Sequence, residues 1–110
     1  MLHIATWNLD EYGSGAARRL PLQIETLNAL RADVLVLTEV RDTTRIPGMK
    51  LWRSAEGTGS CASRDRAVGI ASVWDGYTLE GADRRLSVCV IFDSPAPLGR
   101  LVVYGTVIAD

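Results

Sequence analysis

The sequence predicts an α/β (α+β) fold: a mixed sheet of about six strands with one main helix. Three observations predict it. Two short apolar runs rich in branched residues, Leu2–Trp7 and Val34–Thr38, read as strands, and each ends on a polar residue, Asn8 and Glu39. The segment between them has the apolar spacing of a helix. Three later runs, Ala67–Val73, Leu86–Phe92 and Leu101–Ile108, are joined by short Gly- and Pro-containing connections, which favour antiparallel neighbours.

Each element follows from its own residues. After the first strand, residues 10–17 read as a loop with Gly13 and Gly15. The helix is expected from about Arg18 to Ala32, with Leu20, Ile24, Leu27 and Arg31 on one stripe and Leu30 beside it. Pro21 fits only in a first turn, which leaves the start open by a few residues. The second strand follows at once, and the strand–helix–strand crossover makes the two strands parallel. Pro47-Gly48 marks a turn in the loop 41–49, Leu51–Arg53 is a short strand, and residues 54–65 form an exposed Gly/Ser loop.

Composition bounds the class. The chain has 110 residues, 47% hydrophobic and 23% charged, which fits one globular domain rather than a disordered chain. A formal net charge of -1 gives no general electrostatic footprint for nucleic acid, though it allows a local patch. No apolar stretch reaches the roughly 18 residues of a membrane span, and the N-terminus lacks a basic region followed by an apolar one. A cytoplasmic location is expected. Cys61 and Cys89 have no metal spacing; Cys89 is expected as a small buried hydrophobe, and no disulfide between the two is expected.

The strands pose a packing problem. Val34–Leu37, Val88–Phe92 and Leu101–Tyr104 are nearly continuous apolar runs, the pattern of sheets buried on both faces. One helix of about 15 residues covers only part of one face. The other face must meet a second sheet, another copy of the chain or a partner, because an uncovered one exceeds the apolar patch a monomer usually shows.

The candidate site follows from the parallel pair. Its two strands end at the same sheet edge, so Asn8 and Glu39 emerge together where α/β proteins bind ligands. A carboxylate beside a carboxamide offers oxygen ligands to a hard cation such as Mg2+. A glutamate directly after an apolar run is costly to bury unless paired or metal-bound. His3, the single histidine, lies several residues from that edge and is read as structural. Trp7 and Trp74 are read as packing residues, Tyr104 as either core or cleft, and Gly57-Thr58-Gly59 as too short for a phosphate loop.

These residues carry a family resemblance. Ala5-Thr6-Trp7-Asn8-Leu9, then a helix, then Val34-Leu35-Val36-Leu37-Thr38-Glu39-Val40 resembles the opening of the endonuclease/exonuclease/phosphatase superfamily, the deoxyribonuclease I-like group. Glu39-Val40-Arg41-Asp42 is similar to a deoxyribonuclease I segment, and Val103-Tyr104-Gly105-Thr106-Val107 to a strand of small bacterial members. The resemblance spans the chain in order but only the N-terminal half of the family domain. It implies half of a four-layer α/β/β/α sandwich, in which a second sheet supplies the missing cover. It implies Mg2+- or Mn2+-dependent phosphoester hydrolysis, with Glu39 as metal ligand and Asn8 orienting the metal, its water or the phosphate. Arg41 matches a substrate-contacting arginine, and Arg84 a phosphate-proximal one, with Arg85 competing for that role.

The departures bear on activity. Where family enzymes place a histidine, this chain has Gly105-Thr106-Val107-Ile108, and the later Asp-x-Asn and Asp-His words have no counterpart. The Asp-His pair supplies the general base. The chain is therefore expected to be an incomplete portion of the domain, with little turnover alone. The alternatives are a non-catalytic remnant or split-domain half that associates through its exposed sheet face, as a homodimer or with a partner half, and an unrelated small α/β binding domain.

Overall fold

The structure is a computed structural model that describes residues 2–9, 15–41, 43–54, 67–79, 87–95 and 97–106. It contains strands β1 (Ile4–Asn8), β2 (Val34–Val40), β3 (Lys50–Arg53), β4 (Ala67–Ser72), β5 (Gly76–Thr78), β6 (Ser87–Asp93) and β7 (Arg100–Thr106), and one helix, α1 (Ala16–Leu30). The α/β class holds. The strands, however, divide between a four-stranded sheet, β1-β2-β4-β3, and a three-stranded sheet, β5-β6-β7, instead of forming one sheet. Only β1 and β2 are parallel; every other pair is antiparallel.

Alternation along the strands explains the division. Leu35, Leu37, Val40, Ala67 and Ala71 pack on one face with Leu20, Ile24 and Leu27 of α1. Val34, Val68 and Ile70 point to the other face and meet Val88, Val90, Phe92 and Val103 of the second sheet. The continuous apolar runs of β2 and β4 are thus buried on both faces, by a helix on one side and a sheet on the other. Phe92 is fully buried, with Trp52 and Trp74 set edgewise against its ring at 5.4 and 6.3 Å. Gly105 lets β7 lie close over the first sheet: a Cβ there would sit 3.1–3.4 Å from Val68, Val36 and Ile70.

The helix differs in detail from its sequence pattern. It begins at Ala16, where Gly15 at φ 79° forms the N-cap and its carbonyl accepts from the Arg18 and Arg19 N–H groups. Pro21 therefore lies inside the helix rather than in its first turn. Burial of Leu20, Ile24 and Leu27 offsets the lost backbone bond. Arg31 leaves the expected stripe: it is exposed and closes the helix at φ 50°, donating its N–H to the Asn28 carbonyl. Leu30 is exposed, and Ala32 takes the core position. Strand β5 was not expected from the sequence; it reads there as part of a connection. No helix among the described residues is long and apolar enough to cross a membrane.

The sandwich is covered unevenly. In the β1–β2 register, Ile4, Thr6 and Asn8 stand beside Val34, Val36 and Thr38, the face turned toward the second sheet. All three are exposed; the second sheet is centred elsewhere, with β6 over β3 and β4 and β7 over β4, its Gly105 close to Val36 of β2. The outer face of the second sheet is also bare of cover, with Tyr77, Leu79, Val102 and Tyr104 each about half exposed or more (50, 52, 56 and 59%).

Candidate active-site rim

Asn8 and Glu39 do emerge together. Asn8 pairs in register with Thr38, and Glu39 is the next residue of β2. Strand spacing and rise put their Cα atoms roughly 6 Å apart. The Leu9 N–H donates to the Thr38 carbonyl at 3.1 Å, which ties the exit of β1 to β2 at this level. Asn8 is exposed and Glu39 half-buried. This matches the placement that the parallel crossover predicts.

The backbone at Glu39 adds a feature that the sequence does not announce. Leu37 pairs with Gly69 and Val40 with Ala67, so Thr38 and Glu39 together stand opposite the single residue Val68. This is a β-bulge, a device that re-aims a side chain at the end of a strand. Glu39 adopts φ 57°, the left-handed region that a glutamate enters only at a cost. Val68 is meanwhile fixed from the far side: its N–H donates to Ser54 Oγ at 3.1 Å, and its carbonyl accepts from the Ser54 N–H at 2.8 Å. A strained, non-glycine residue on a braced strand end is typical of a functional position.

Arg41 follows two residues later. Its N–H donates to Thr44 Oγ1 at 2.8 Å, and the Thr44 N–H returns a bond to the Arg41 carbonyl at 3.2 Å. Thr44 is buried, so this reciprocal turn anchors the backbone while the Arg41 side chain is exposed beside the rim. The sequence singled out Arg41 but not Thr44, whose role is visible only in the turn. Arg84, Arg85, Cys61 and Gly57-Thr58-Gly59 lie outside the described residues. His3 sits at the opposite edge, where its N–H donates to Asp33 Oδ2 at 2.9 Å. Cys89 is half-buried on β6 as a free thiol. Trp7 is 37% exposed, more open than a packing residue would be, and Tyr104 is exposed on the outer sheet face, neither in the core nor at this rim.

Among the described residues no cluster of three or more His, Cys, Asp or Glu side chains forms a self-sufficient metal site. The donors that are present suit a hard cation nonetheless. They are oxygens, one carries a full charge, and the rim is open to water, which Mg2+ keeps in its coordination shell.

The sequence-missed residues lie further along the sheet. Trp7, Leu37, Gly69 and Arg53 form one row across the four strands, immediately below the Asn8–Thr38 pair. Arg53 thus stands on the same rim as Glu39, two strands away. Its signal in the sequence is a local excess of charge: residues 41–53 hold Arg41, Arg45, Lys50 and Arg53 against Asp42 alone.

No family model matches the chain, and no curated protein sequence does. Solved structures do match. The endonuclease domain of TRAS1, a telomere-specific non-LTR retrotransposon, aligns over 98% of this chain with a TM-score of 0.57 and 15% identity. TDP2 from C. elegans aligns over 96% with a TM-score of 0.59 and 16% identity. The chain spans 46% and 35% of the lengths of those two structures. Both have the deoxyribonuclease I-like fold, and the helix–sheet–sheet layering of this chain is similar in fold to the part of those structures that it spans.

Proposed function

We propose that this chain carries the metal-binding rim of a divalent-metal-dependent phosphoester hydrolase, a nuclease or phosphatase using Mg2+ or Mn2+. One observation carries the reading: Asn8 and Glu39 share a strand end, and the Glu39 backbone is held at φ 57° by a bulge that nothing in the packing of an ordinary strand requires. Glu39 is the ligand, Asn8 orients the ion or its water, and Arg41 meets the substrate phosphate. When bound, the ion neutralises charge that develops on the phosphoryl group. The fold neighbours support this general kind of chemistry.

Among the described residues no histidine stands at the rim. The only histidine of the chain, His3, lies at the other edge of the sheet. We therefore infer weak metal binding and little turnover for this chain by itself. Titration calorimetry with Mn2+ tests the reading. Glu39→Ala should abolish the binding and Asn8→Ala should weaken it; unchanged affinity in both variants would overturn it. Strong metal-dependent cleavage of a phosphodiester by the chain alone, lost in Glu39→Ala, would overturn the inference that the site is incomplete.

A second reading concerns assembly, and the uneven cover favours it. The exposed Ile4–Thr6–Asn8 face and the open edge of β7 form a step that a further strand of the second sheet would fill. The occupant we propose is a complementary α/β half, since the fold neighbours are more than twice as long. The bare row of Tyr77, Val102 and Tyr104 would take that half's outer layer. A homodimer is the competing outcome. Sedimentation velocity separates them: a monomer at high concentration without any other polypeptide counts against self-association.

A further inference from the structure

Val68 stands opposite the bulged pair Thr38 and Glu39, yet both of its backbone groups are directed at the other neighbouring strand. Its N–H donates to Ser54 Oγ at 3.1 Å, and its carbonyl accepts from the Ser54 N–H at 2.8 Å. In an antiparallel ladder the N–H and C=O of one residue point to the same neighbour. The place of Val68 behind the bulge is therefore set from the β3 side. Ser54 sets it with its side chain. Strand β3 ends at Arg53, which pairs with Gly69. A regular ladder would next offer Val68 the Ser54 carbonyl; here the hydroxyl takes that place. The chain can thus leave the sheet at Ser54 while β4 keeps its bond. Ser54 and Val68 are both buried, at 2% and 1% exposure, so water does not replace a bond lost between them.

The consequence falls on Glu39. A glutamate at φ 57° persists only while its surroundings over-determine it. On one side the Leu9 N–H holds the Thr38 carbonyl at 3.1 Å. On the other stands Val68, packed in the core between the sheets and tied to Ser54. Freeing Val68 lets the bulge relax toward an extended backbone. In an extended strand successive side chains alternate between faces, so that relaxation re-aims the Glu39 carboxylate relative to Asn8.

We propose that Ser54 is a positioning residue for the rim: its hydroxyl, two strands from Glu39, holds the bulge that aims the carboxylate at a metal ion. The metal part rests on the hydrolase reading above; the hold on the Glu39 backbone does not. Titration calorimetry of Ser54→Ala with Mn2+ should show about a tenfold loss of affinity, the low end of what removing a group that orients a metal ligand costs. Ser54→Thr keeps a hydroxyl and should restore most of it. Ser72→Ala is the matched control. Ser72 is equally buried on the same strand, and its Oγ donates to the Asp33 carbonyl at 2.8 Å and accepts from the Trp74 N–H at 3.0 Å. It lies at the far end of β4, so its loss should lower stability and change the affinity less than about twofold. A second readout needs no metal. Glycine accommodates positive φ and alanine does not, so Glu39→Gly should unfold at higher urea than Glu39→Ala. In a Ser54→Ala background that gap should shrink by about half or more. Circular dichroism confirms that each variant is folded, and Ser54→Cys, with its weaker acceptor, carries the test if the alanine variant is not. Unchanged affinity in Ser54→Ala, or a loss matched by Ser72→Ala, would overturn the proposal. So would a glycine–alanine gap that Ser54→Ala leaves unchanged. If the wild-type chain binds no Mn2+, the hydrolase reading falls, and the gap alone decides whether Ser54 holds Glu39.

Discussion

Replacing Glu39 by glycine and, separately, by alanine tests whether the rim is strained to present its carboxylate. Both substitutions delete the carboxylate and every interaction it makes, so the difference between them reports the backbone alone. In an ordinary strand, glycine is less stable than alanine by about 0.5–1 kcal/mol, because it loses more freedom on folding. At φ 57° an L-residue pays a steric cost of roughly 1–2 kcal/mol that glycine escapes. The second term exceeds the first, so the sign reverses: Glu39→Gly should be the more stable variant by about 0.5–1 kcal/mol. Urea denaturation without divalent ions measures this as a higher midpoint at unchanged slope. In a thermal melt, about 1 kcal/mol corresponds to a rise of roughly 4–8 °C in a domain of this size. Neither variant should bind Mn2+. An alanine variant as stable as the glycine variant, or more so, would show that the bulge stores no strain, and the argument from strain to function would fail.

The other expectations concern packing and surface. Phe92→Ala should cost about 3–5 kcal/mol in urea denaturation, because it empties the fully buried site between Trp52 and Trp74. Gly105→Ala should cost about 1–3 kcal/mol, since the new methyl would press on Val68, Val36 and Ile70 from 3.1–3.4 Å; an unchanged midpoint would mean that β7 shifts freely over the first sheet. Tyr104→Lys and Val102→Lys, on the bare outer face, should leave stability within about 0.5 kcal/mol and reduce any self-association seen by sedimentation.

The parts of this molecule that could be read from the sequence are those set by local pattern. The runs Val34–Leu37 and Val88–Phe92 announce strands buried on both faces, and the crossover between β1 and β2 puts Asn8 next to Thr38 without any coordinates. Other parts depend on three-dimensional competition. Strand β5 is three residues long and forms because Tyr77 and Thr78 pair with Ile91 and Val90; the segment alone reads as a turn. Pro21 lies in the helix interior because burial of the Leu20–Ile24–Leu27 stripe outweighs its intrinsic penalty. The assignment of strands to two sheets hides for a similar reason: alternation tells which residues face inward, but not which sheet receives them. The left-handed turn at Glu39 has no local cue at all. Glycine or asparagine would have flagged it, and a glutamate does not.

The open part of the sandwich lies beside the candidate rim. Ile4, Thr6 and Asn8 share one face of β1, turned toward the second sheet and left uncovered by it. Any element that extends the second sheet past β7 to cover Ile4 must therefore pass within a residue or two of Asn8, by strand geometry alone. Hydrophobic burial would drive the docking, and a side chain at the end of the arriving strand would reach the rim where Glu39 already stands. On this reading, a polypeptide that completes the fold should also raise Mn2+ affinity. An Ile4→Lys substitution, which leaves Asn8 and Glu39 untouched, should then reduce the metal affinity of the complex but not that of the free chain. Equal losses in both would mean that Ile4 acts on the rim directly and that assembly and catalysis are unrelated.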